Sequence, residues 1–255
     1  MESTDLDVKP YGTVLVKAKE IMDFLFTYPT PPTLAEISTG LSASKPTTLK
    51  ILTTMDMLGL VRRDEQTKQY YLGTQLIAYA QKAIDSFDIA GIAQPYLHEL
   101  RDATGETINL GIVRNEQIIL IDKLESPTSI KLQSTIGGGM HMYSSAMGKA
   151  VLATYTPEHL AAYLNTHPLT PVTPHTLVED EALRINLAHI RQTGVSKDNE
   201  ENETEVFCLG ATLQKNGRLY GAFSISTPKY RLPKARQAKF EKLLLATQTA
   251  IQAAL

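Results

Sequence analysis

Two serines near the end of the chain have the spacing of ligand-binding residues on a strand. Ser224 and Ser226 stand two residues apart in an apolar run. Alternate residues of a β-strand point to the same face, so both hydroxyls lie on one face while Phe223 and Ile225 point to the other. Two hydroxyls on one face can bind one ligand, but serines at this spacing also occur on solvated sheet faces. The spacing therefore predicts either a pocket wall or a wet surface.

A carboxylate could bind at the start of a helix that begins near Ser144. The first N–H groups of a helix have no partner within the helix, and they attract anions. The donors at this position are the backbone N–H groups of Ala146 and Met147. Asp198 could accept a hydrogen bond from a hydroxyl of the same ligand, or it could be a turn residue in an acidic loop. Both interpretations of Asp198 stay open at this point.

The residues that could perform catalysis do not form a recognisable set. The sequence has a single cysteine, Cys208, and six histidines: His98, His141, His159, His167, His175 and His189. It contains no His-Glu-x-x-His motif, no Gly-x-Ser-x-Gly motif and no phosphate-binding loop. Cys208 lies in the apolar run Val206-Phe-Cys-Leu209, a setting that raises the pKa of a thiol. We therefore expect no enzyme activity, no metal and no cofactor, although a zinc-assisted sensor that uses His141 stays open.

The bulk composition favours a soluble protein of two domains. A chain of 255 residues exceeds the size at which one hydrophobic core is comfortable. Hydrophobic residues make up 43% and charged residues 20% of the chain, and no apolar run reaches membrane-spanning length. The first seven residues carry acidic side chains where a secretory signal carries basic ones, and a single cysteine excludes an internal disulfide. We therefore expect a cytoplasmic location and no contact with a membrane.

The first seventy residues have the pattern of a small DNA-binding domain. Apolar residues at helical spacing predict a helix over residues 14–28, and Thr33-Leu-Ala-Glu36 is a capping box that starts a second helix. Ser44 can cap a third helix. That helix is predicted to bury four apolar side chains: Leu49, Leu52, Met55 and Leu58. Residues 60–63 and 69–72 predict a hairpin, and three helices followed by a hairpin is the order of a winged helix-turn-helix.

The position of the basic residues carries the prediction of DNA binding. A net charge of −2 does not itself indicate nucleic acid, but lysine and arginine concentrate at residues 45–50 and 62–68. In a winged helix-turn-helix the third helix enters the major groove and the hairpin contacts the backbone. The predicted contacts from the helix are Ser44, Lys45, Thr47, Thr48 and Lys50. Those from the hairpin are Arg62, Arg63, Lys68 and Gln69. The alternative is a small helical domain for protein contacts.

The remaining chain alternates between predicted helices and strands. A connector helix over residues 74–85 is followed by a break at 86–88. Helices are then predicted over residues 95–104, 145–154 and 179–193, with another from Thr156-Pro157 and a last one from about Lys234. Strands are predicted over residues 107–113, 117–124, 129–134, 206–213 and 219–226, with the last two flanking the turn signal Asn216-Gly217. This order predicts a mixed sheet with helices.

The predicted fold class is therefore α+β, with three parts. Residues 10–73 form the winged helix-turn-helix, residues 74–88 a helical linker, and residues 89–255 a mixed α/β domain.

From about Gly12 to Pro228 the sequence resembles the IclR family of transcriptional regulators. In the N-terminal part the likeness lies in Leu34-Ala-Glu-Ile37, Lys45-Pro-Thr-Thr-Leu-Lys-Ile-Leu52 and Leu58-Gly-Leu-Val61. In the C-terminal part it lies in Ser145-Ala-Met-Gly-Lys-Ala-Val-Leu-Ala153, Gly194-Val-Ser-Lys-Asp-Asn-Glu-Glu201 and Phe223-Ser-Ile-Ser226 with Pro228. The chain departs from the family at His141-Met-Tyr143, where Pro-Leu-His is usual, and at Glu205, where glycine is common.

The resemblance implies both a function and a binding site. It implies a GAF-like sensor domain in which Ala146, Met147, Asp198, Cys208, Ser224 and Ser226 match positions that contact small effectors. We expect a sequence-specific DNA-binding regulator, a repressor, that binds a double-stranded operator as a homodimer or tetramer. A small organic or sugar acid is the expected effector. The alternative is a small-molecule sensor that acts through protein contacts.

Overall fold

The computed structural model describes residues 11–85, 88–128 and 134–255. The chain divides into two compact units, Met1–Ser86 and Phe87–Leu255. Within the described residues no helix is both long enough and apolar enough to cross a membrane.

The N-terminal unit consists of three helices, a hairpin and a fourth helix. The elements are α1 (Thr13–Thr27), α2 (Leu34–Gly40), α3 (Lys45–Met57), β1 (Val61–Arg63), β2 (Tyr70–Leu72) and α4 (Gln75–Asp85). The capping box is present, since the Thr33 N–H donates to Glu36 Oε2 at 2.7 Å and the Glu36 N–H to Thr33 Oγ1 at 3.4 Å. The strands β1 and β2 pair antiparallel with Arg62 opposite Tyr71. The predicted order of three helices and a hairpin is confirmed.

The buried face of α3 differs from the prediction by about one residue. Leu52 and Met55 are buried as predicted, but 41% of Leu49 and 59% of Leu58 are exposed. Their places in the core are taken by Thr48 and Ile51. Thr48 can be buried because its hydroxyl donates to the Ser44 carbonyl oxygen at 3.1 Å, which satisfies its polar group.

The C-terminal unit is a six-stranded sheet with helices on both faces. Its helices are α5 (Asp88–Thr104), α6 (Ala146–Leu152), α7 (Pro157–Thr166), α8 (Asp180–Thr193) and α9 (Lys234–Ala254). Its strands are β3 (Thr107–Arg114), β4 (Gln117–Leu124), β5 (Gly139–His141), β6 (Ser196–Asn199), β7 (Val206–Lys215) and β8 (Arg218–Pro228). The strand order is β5-β4-β3-β8-β7-β6. Every pair in this sheet is antiparallel, so the expectation of a mixed sheet was wrong.

The two faces of this sheet pack against different helices. On one face Phe223 and Ile225 form a core with side chains of α5 and α9, such as Leu97 and Leu244. On the other face lies a second core formed mainly by α6, α7 and α8. Ser224 and Ser226 therefore point away from the first core, as their alternation with Phe223 and Ile225 predicts.

Several element boundaries differ from the sequence prediction. The helix predicted over 95–104 begins at Asp88 and continues through Pro95, whose ring is exposed. The strand predicted over 129–134 lies almost wholly outside the described residues. The edge strands β5 and β6 were not predicted, because three or four residues are too few to display a period of two.

Candidate functional sites

The N-terminal end of α3 presents polar groups to solvent. Ser44 caps the helix, since the Thr47 N–H donates to Ser44 Oγ at 3.4 Å and the two hydroxyls are 2.8 Å apart. Lys45, Thr47 and Lys50 are exposed. Only 2% of Thr48 is exposed, so the predicted contact of its side chain with DNA was wrong. The helix thus offers one hydroxyl cluster and two lysines.

The hairpin holds two exposed arginines against tyrosine rings. The Arg62 guanidinium lies 3.9 Å from the centre of the Tyr71 ring, and that of Arg63 lies 5.8 Å from the centre of the Tyr70 ring. Such cation–π contacts restrict the arginine side chains without neutralising their charge.

The turn of the hairpin is fixed by Asp64, whose Oδ1 accepts the N–H groups of Gln66 and Thr67 at 2.9 and 2.8 Å. These hydrogen bonds lower the pKa of Asp64. Lys68 is exposed and lies 3.1 Å from Glu65 Oε2, whereas Gln69 is half-buried and bridges to Thr33. Arg62, Arg63 and Lys68 are therefore available to a partner, and Gln69 is only partly so.

A cleft in the C-terminal unit brings together all six of the predicted effector-binding residues. It encloses about 430 Å³ of space, its open mouth included. The predicted lining residues are Ala146, Met147, Asp198, Cys208, Ser224 and Ser226. Seven further lining residues were not predicted: Asn109, Ser134, Met140, Ser145, Asn202, Glu203 and Val206.

The two serines differ in their hydrogen bonds. Ser226 Oγ accepts from Asn109 Nδ2 at 3.0 Å and from the Cys208 thiol at 3.2 Å, which leaves its own O–H free to donate. The hydroxyl of Ser224 has no hydrogen-bond partner within the described part of the chain, although only 3% of this residue is exposed. Because this hydroxyl lines the cleft and bonds to no protein group, Ser224 is suited to a group that the ligand would supply.

Asp198 lies in the cleft wall and also stabilises a turn. Only 3% of it is exposed, and its Oδ1 accepts the N–H groups of Glu201 and Asn202 at 2.8 and 3.2 Å. Burial raises the pKa of Asp198 to about 7, with the Glu201 charge adding to the rise, while the backbone hydrogen bonds and Lys149 oppose it. The turn role predicted from the sequence is therefore present, and the contact of Asp198 with a ligand stays a prediction. Near neutral pH this carboxyl exists in both protonation states.

A buried ion pair fixes the loop that follows Asp198. Lys149 is completely buried in α6, and its Nζ donates to Glu201 Oε2. Burial raises the pKa of Glu201, and Lys149 opposes this rise. The pair joins the Gly-Lys-Ala segment to the Asp-x-x-Glu segment of the chain. The sequence contained both residues, but their partnership depends on the packing of α6 against β6, which spacing does not predict.

The start of α6 lies directly on the sheet because two glycines leave room for it. A Cβ on Gly210 of β7 would lie 2.7 Å from the carbonyl carbon and oxygen of Ala146. A Cβ on Gly148 would lie 2.2 Å from the Cα of Met142. The Gly148 N–H donates to Ser145 Oγ at 3.2 Å, whereas the N–H groups of Ala146 and Met147 have no partner among the described residues. The close approach thus places free donors at the cleft.

Several unpredicted lining residues come from strands and loops distant in sequence. Asn109 of β3 pairs with Ser224 in the register between β3 and β8. A signal existed, because Asn109 is a polar residue within the otherwise apolar strand Ile108–Val113. Asn202 and Glu203 lie in the loop between β6 and β7, where the sequence gives no period to interpret.

These two sites define a DNA-binding regulator with a separate small-molecule cleft. A family model described as the IclR helix-turn-helix domain matches residues 14–65, and one described as "Bacterial transcriptional regulator IclR C-terminal" matches residues 81–253. The chain belongs to the IclR family of transcriptional regulators.

Individual relatives support the same assignment. The DNA-binding transcriptional repressor YiaJ of Escherichia coli is 35% identical over 95% of this chain and 88% of its own length. The crystal structure of the Thermotoga maritima IclR covers 94% of this chain and 98% of its own, with a TM-score of 0.81 and 30% identity.

A second solved structure shares the fold at lower identity. It is an IclR homolog from Microbacterium hydrocarbonoxydans complexed with 4-hydroxybenzoate, with a TM-score of 0.82 and 18% identity over 95% of this chain and 98% of its own.

Proposed function

We propose that this protein represses transcription by binding an operator through α3 and the hairpin, and that a small organic acid in the C-terminal cleft controls this binding. The observation that carries the proposal is the cleft, where six predicted residues from four elements converge and where the Ser224 hydroxyl has no partner within the described part of the chain. The relative YiaJ is a repressor, which supports repression as the direction of the regulation.

The proposed DNA contacts are the exposed polar residues of the first unit. Lys45, Thr47 and Lys50 would face the major groove, with the Ser44 cap at its edge. Arg62, Arg63 and Lys68 would contact phosphates. Gln69 is retained as a contact through its exposed part, and Thr48 is left out because it is buried.

A dimer or a dimer of dimers is proposed as the binding species. One short recognition helix makes too few base contacts for useful specificity, so two copies should bind a near-palindrome. The first unit also exposes large apolar side chains, among them 73% of Leu15 and 70% of Ile77, which favour burial against another surface.

Selection of binding sites from a random duplex library tests the DNA-binding part. We expect an enriched near-palindrome whose affinity falls as salt rises, because phosphate contacts release counterions. Footprinting should show two protected half-sites. If no duplex is enriched, or if binding does not depend on salt, the protein would instead be a sensor that acts through protein contacts.

The proposed effector places a carboxylate against donors and a second polar group near Asp198. The donors are the free N–H groups of Ala146 and Met147 and the hydroxyls of Ser224 and Ser226. An anion is stabilised by such donors, whereas Asp198 in its charged form supplies only acceptors. The 4-hydroxybenzoate bound by a protein of the same fold is also an acid with a second polar group.

A thermal-shift screen of organic acids tests the effector-binding part. A ligand of the folded state raises its melting temperature by mass action. The affinity of the best compound should fall by roughly 1 to 3 kcal/mol per lost bond in Ser224→Ala/Ser226→Ala. Thr212→Ala is the matched control, since Thr212 is buried on the neighbouring strand but does not line the cleft. Equal affinities of wild type and the double variant would place the site elsewhere.

A further inference from the structure

Glu203 occupies the border of the effector cleft. It lines the cleft together with Ser134, Met140 and Asn202, and the same four residues also line an adjoining open cavity of about 660 Å³, its mouth included. That cavity continues along Leu120, Thr135, Gly138 and Gly139. Glu203 is the only acidic residue among these four, so a ligand in either space lies near a carboxyl group.

The loop that carries Glu203 is held by hydrogen bonds and an ion pair on the N-terminal side of this residue. The Thr173 and Thr176 hydroxyls donate to the carbonyl oxygens of Glu200 and Glu201 at 2.5 and 2.6 Å. The Asp198 carboxylate accepts from the loop backbone, and Lys149 binds the Glu201 side chain. The backbone before Glu203 thus has a fixed position.

The Glu203 side chain itself does not contribute to this framework. Its carboxyl group makes no hydrogen bond or ion pair within the part of the chain that the structure describes. It is nonetheless half-buried, and burial raises the pKa of Glu203 while Lys123 lowers it. A half-buried carboxyl without a structural partner is typical of a group that acts on a ligand.

The described lining of the cleft contains two charged residues, Asp198 and Glu203, and both are acidic. Two lysines act electrostatically on these carboxyl groups, Lys149 on Asp198 and Lys123 on Glu203, and each has a partner of its own. Lys149 binds Glu201, and Lys123 binds the Ser134 carbonyl oxygen at 2.8 Å with Glu125 at 3.8 Å. The lining otherwise consists of hydroxyl, amide, thiol and aliphatic groups, with no aromatic ring among the described residues.

We propose that Glu203 is a specificity-determining residue that limits the charge of the effector. This proposal rests on the proposed function. It assigns the cleft to small polyhydroxylated compounds with at most one carboxylate, and it disfavours dicarboxylates. The hydroxyls would pair with Ser226, Asn109 and Asp198, while a second carboxylate would face Glu203 at short range in a poorly solvated space.

Three compounds with one carbon skeleton test the proposal: glucitol, gluconate and glucarate carry zero, one and two carboxylates. Their affinities for wild type and Glu203→Gln are measured by calorimetry at pH 7.5 on the full chain. In wild type we expect gluconate to bind more tightly than glucarate. Removing the Glu203 charge should change the affinity for glucitol by no more than about 2-fold. It should raise the affinity for gluconate by about 3- to 10-fold and the affinity for glucarate by a larger factor. Glu205→Gln is the matched control, because Glu205 is an exposed residue of the same loop outside the lining.

The outcomes separate this proposal from the one on which it rests. Equal effects of Glu203→Gln on all three compounds, or tighter binding of glucarate by wild type, would overturn the role of Glu203. If 4-hydroxybenzoate protects wild type and none of the three compounds does, the polyhydroxylated class is wrong while the effector cleft stands. If no compound of either kind protects wild type, the polyhydroxylated class and the role of Glu203 fail, and the effector cleft is decided separately by the wider screen of organic acids.

Discussion

The two units use their charged residues in opposite ways. In the first unit Lys45, Lys50, Arg62 and Arg63 are exposed and rest on a small apolar core. In the second unit Lys149 is completely buried and binds Glu201, and Asp198 is 3% exposed. Exposed charges can be removed without disturbing packing, whereas buried charges are coupled to the fold. Substitutions should therefore affect binding alone in the first unit, and stability as well as binding in the second.

The largest effect is expected from breaking the buried ion pair. Lys149→Met leaves Glu201 charged and unpaired in the interior, so the free energy of unfolding should fall by about 3 to 5 kcal/mol. Lys149→Met/Glu201→Leu should recover most of this loss, because the unpaired charge is gone. Lys197→Met is the control at the surface pair Lys197–Glu241, with an expected loss under about 1 kcal/mol. Urea denaturation measures all three. Equal losses for Lys149→Met and Lys197→Met would contradict the contrast between buried and exposed charges.

The next effect is a dependence of stability on pH. The pKa of Asp198 is about 7 in the folded protein, whereas that of an exposed aspartate is 3.8, so between these values the folded state keeps a proton that the unfolded state has lost. Stability should therefore fall as pH rises, by about 2 to 3 kcal/mol between pH 5 and pH 7, and this contribution should be constant above pH 8.

Asp198→Asn should remove this part of the slope, because the amide oxygen can still accept from the Glu201 and Asn202 N–H groups. Burial also raises the pKa of Glu201 and Glu203, so a smaller slope remains in the variant. The difference between the two denaturation profiles isolates Asp198. Asp180→Asn, at an exposed carboxyl in α8, should follow the wild-type profile. Parallel profiles of wild type and Asp198→Asn would mean that Asp198 is charged throughout this range.

How much the sequence could predict differs between strands, helices and loops. Strand alternation placed Ser224 and Ser226 on the correct face, because a period of two leaves only two choices. On α3 the prediction buried Leu49, whereas the structure buries its neighbour Thr48. Neighbouring residues of a helix are only 100° apart around its axis, so the edge of the buried face is easily misplaced by one residue. Asn109 and Glu203 were missed because their positions depend on pairing between β3 and β8 and on a loop without a period. Glu205 stands where the family commonly has glycine, and its φ of 62° explains that preference.

A smaller effect is expected where backbone approaches backbone. Gly210→Ala places a Cβ 2.7 Å from the carbonyl group of Ala146 and 3.0 Å from the N–H nitrogen of Met147, so α6 must move away from β7. The free energy of unfolding should fall by about 1 to 3 kcal/mol, and effector affinity should fall with it. Gly91→Ala is the control, because a Cβ there meets nothing within 4 Å and alanine favours the helix α5. A variant Gly210→Ala as stable as wild type would show that α6 moves freely on the sheet.

The smallest effects on stability are expected in the first unit, where only DNA binding should change. Lys50→Ala removes a proposed base contact of α3, so affinity should fall by about 1 to 3 kcal/mol and the preference at one operator position should relax. Arg63→Ala removes a proposed phosphate contact of the hairpin, so all sequences should bind more weakly. The slope of log affinity against log salt concentration should decrease in magnitude by about one. Lys239→Ala, at an exposed lysine of the second unit, controls for the loss of a positive charge. Titrations of a selected operator and a scrambled duplex at several salt concentrations separate the two roles. The melting temperatures of both variants should agree with wild type within about 2 °C, because neither side chain packs in the core. If Lys50→Ala weakens operator and scrambled duplex equally, Lys50 contacts phosphate rather than a base, and base recognition falls to Lys45 and Thr47.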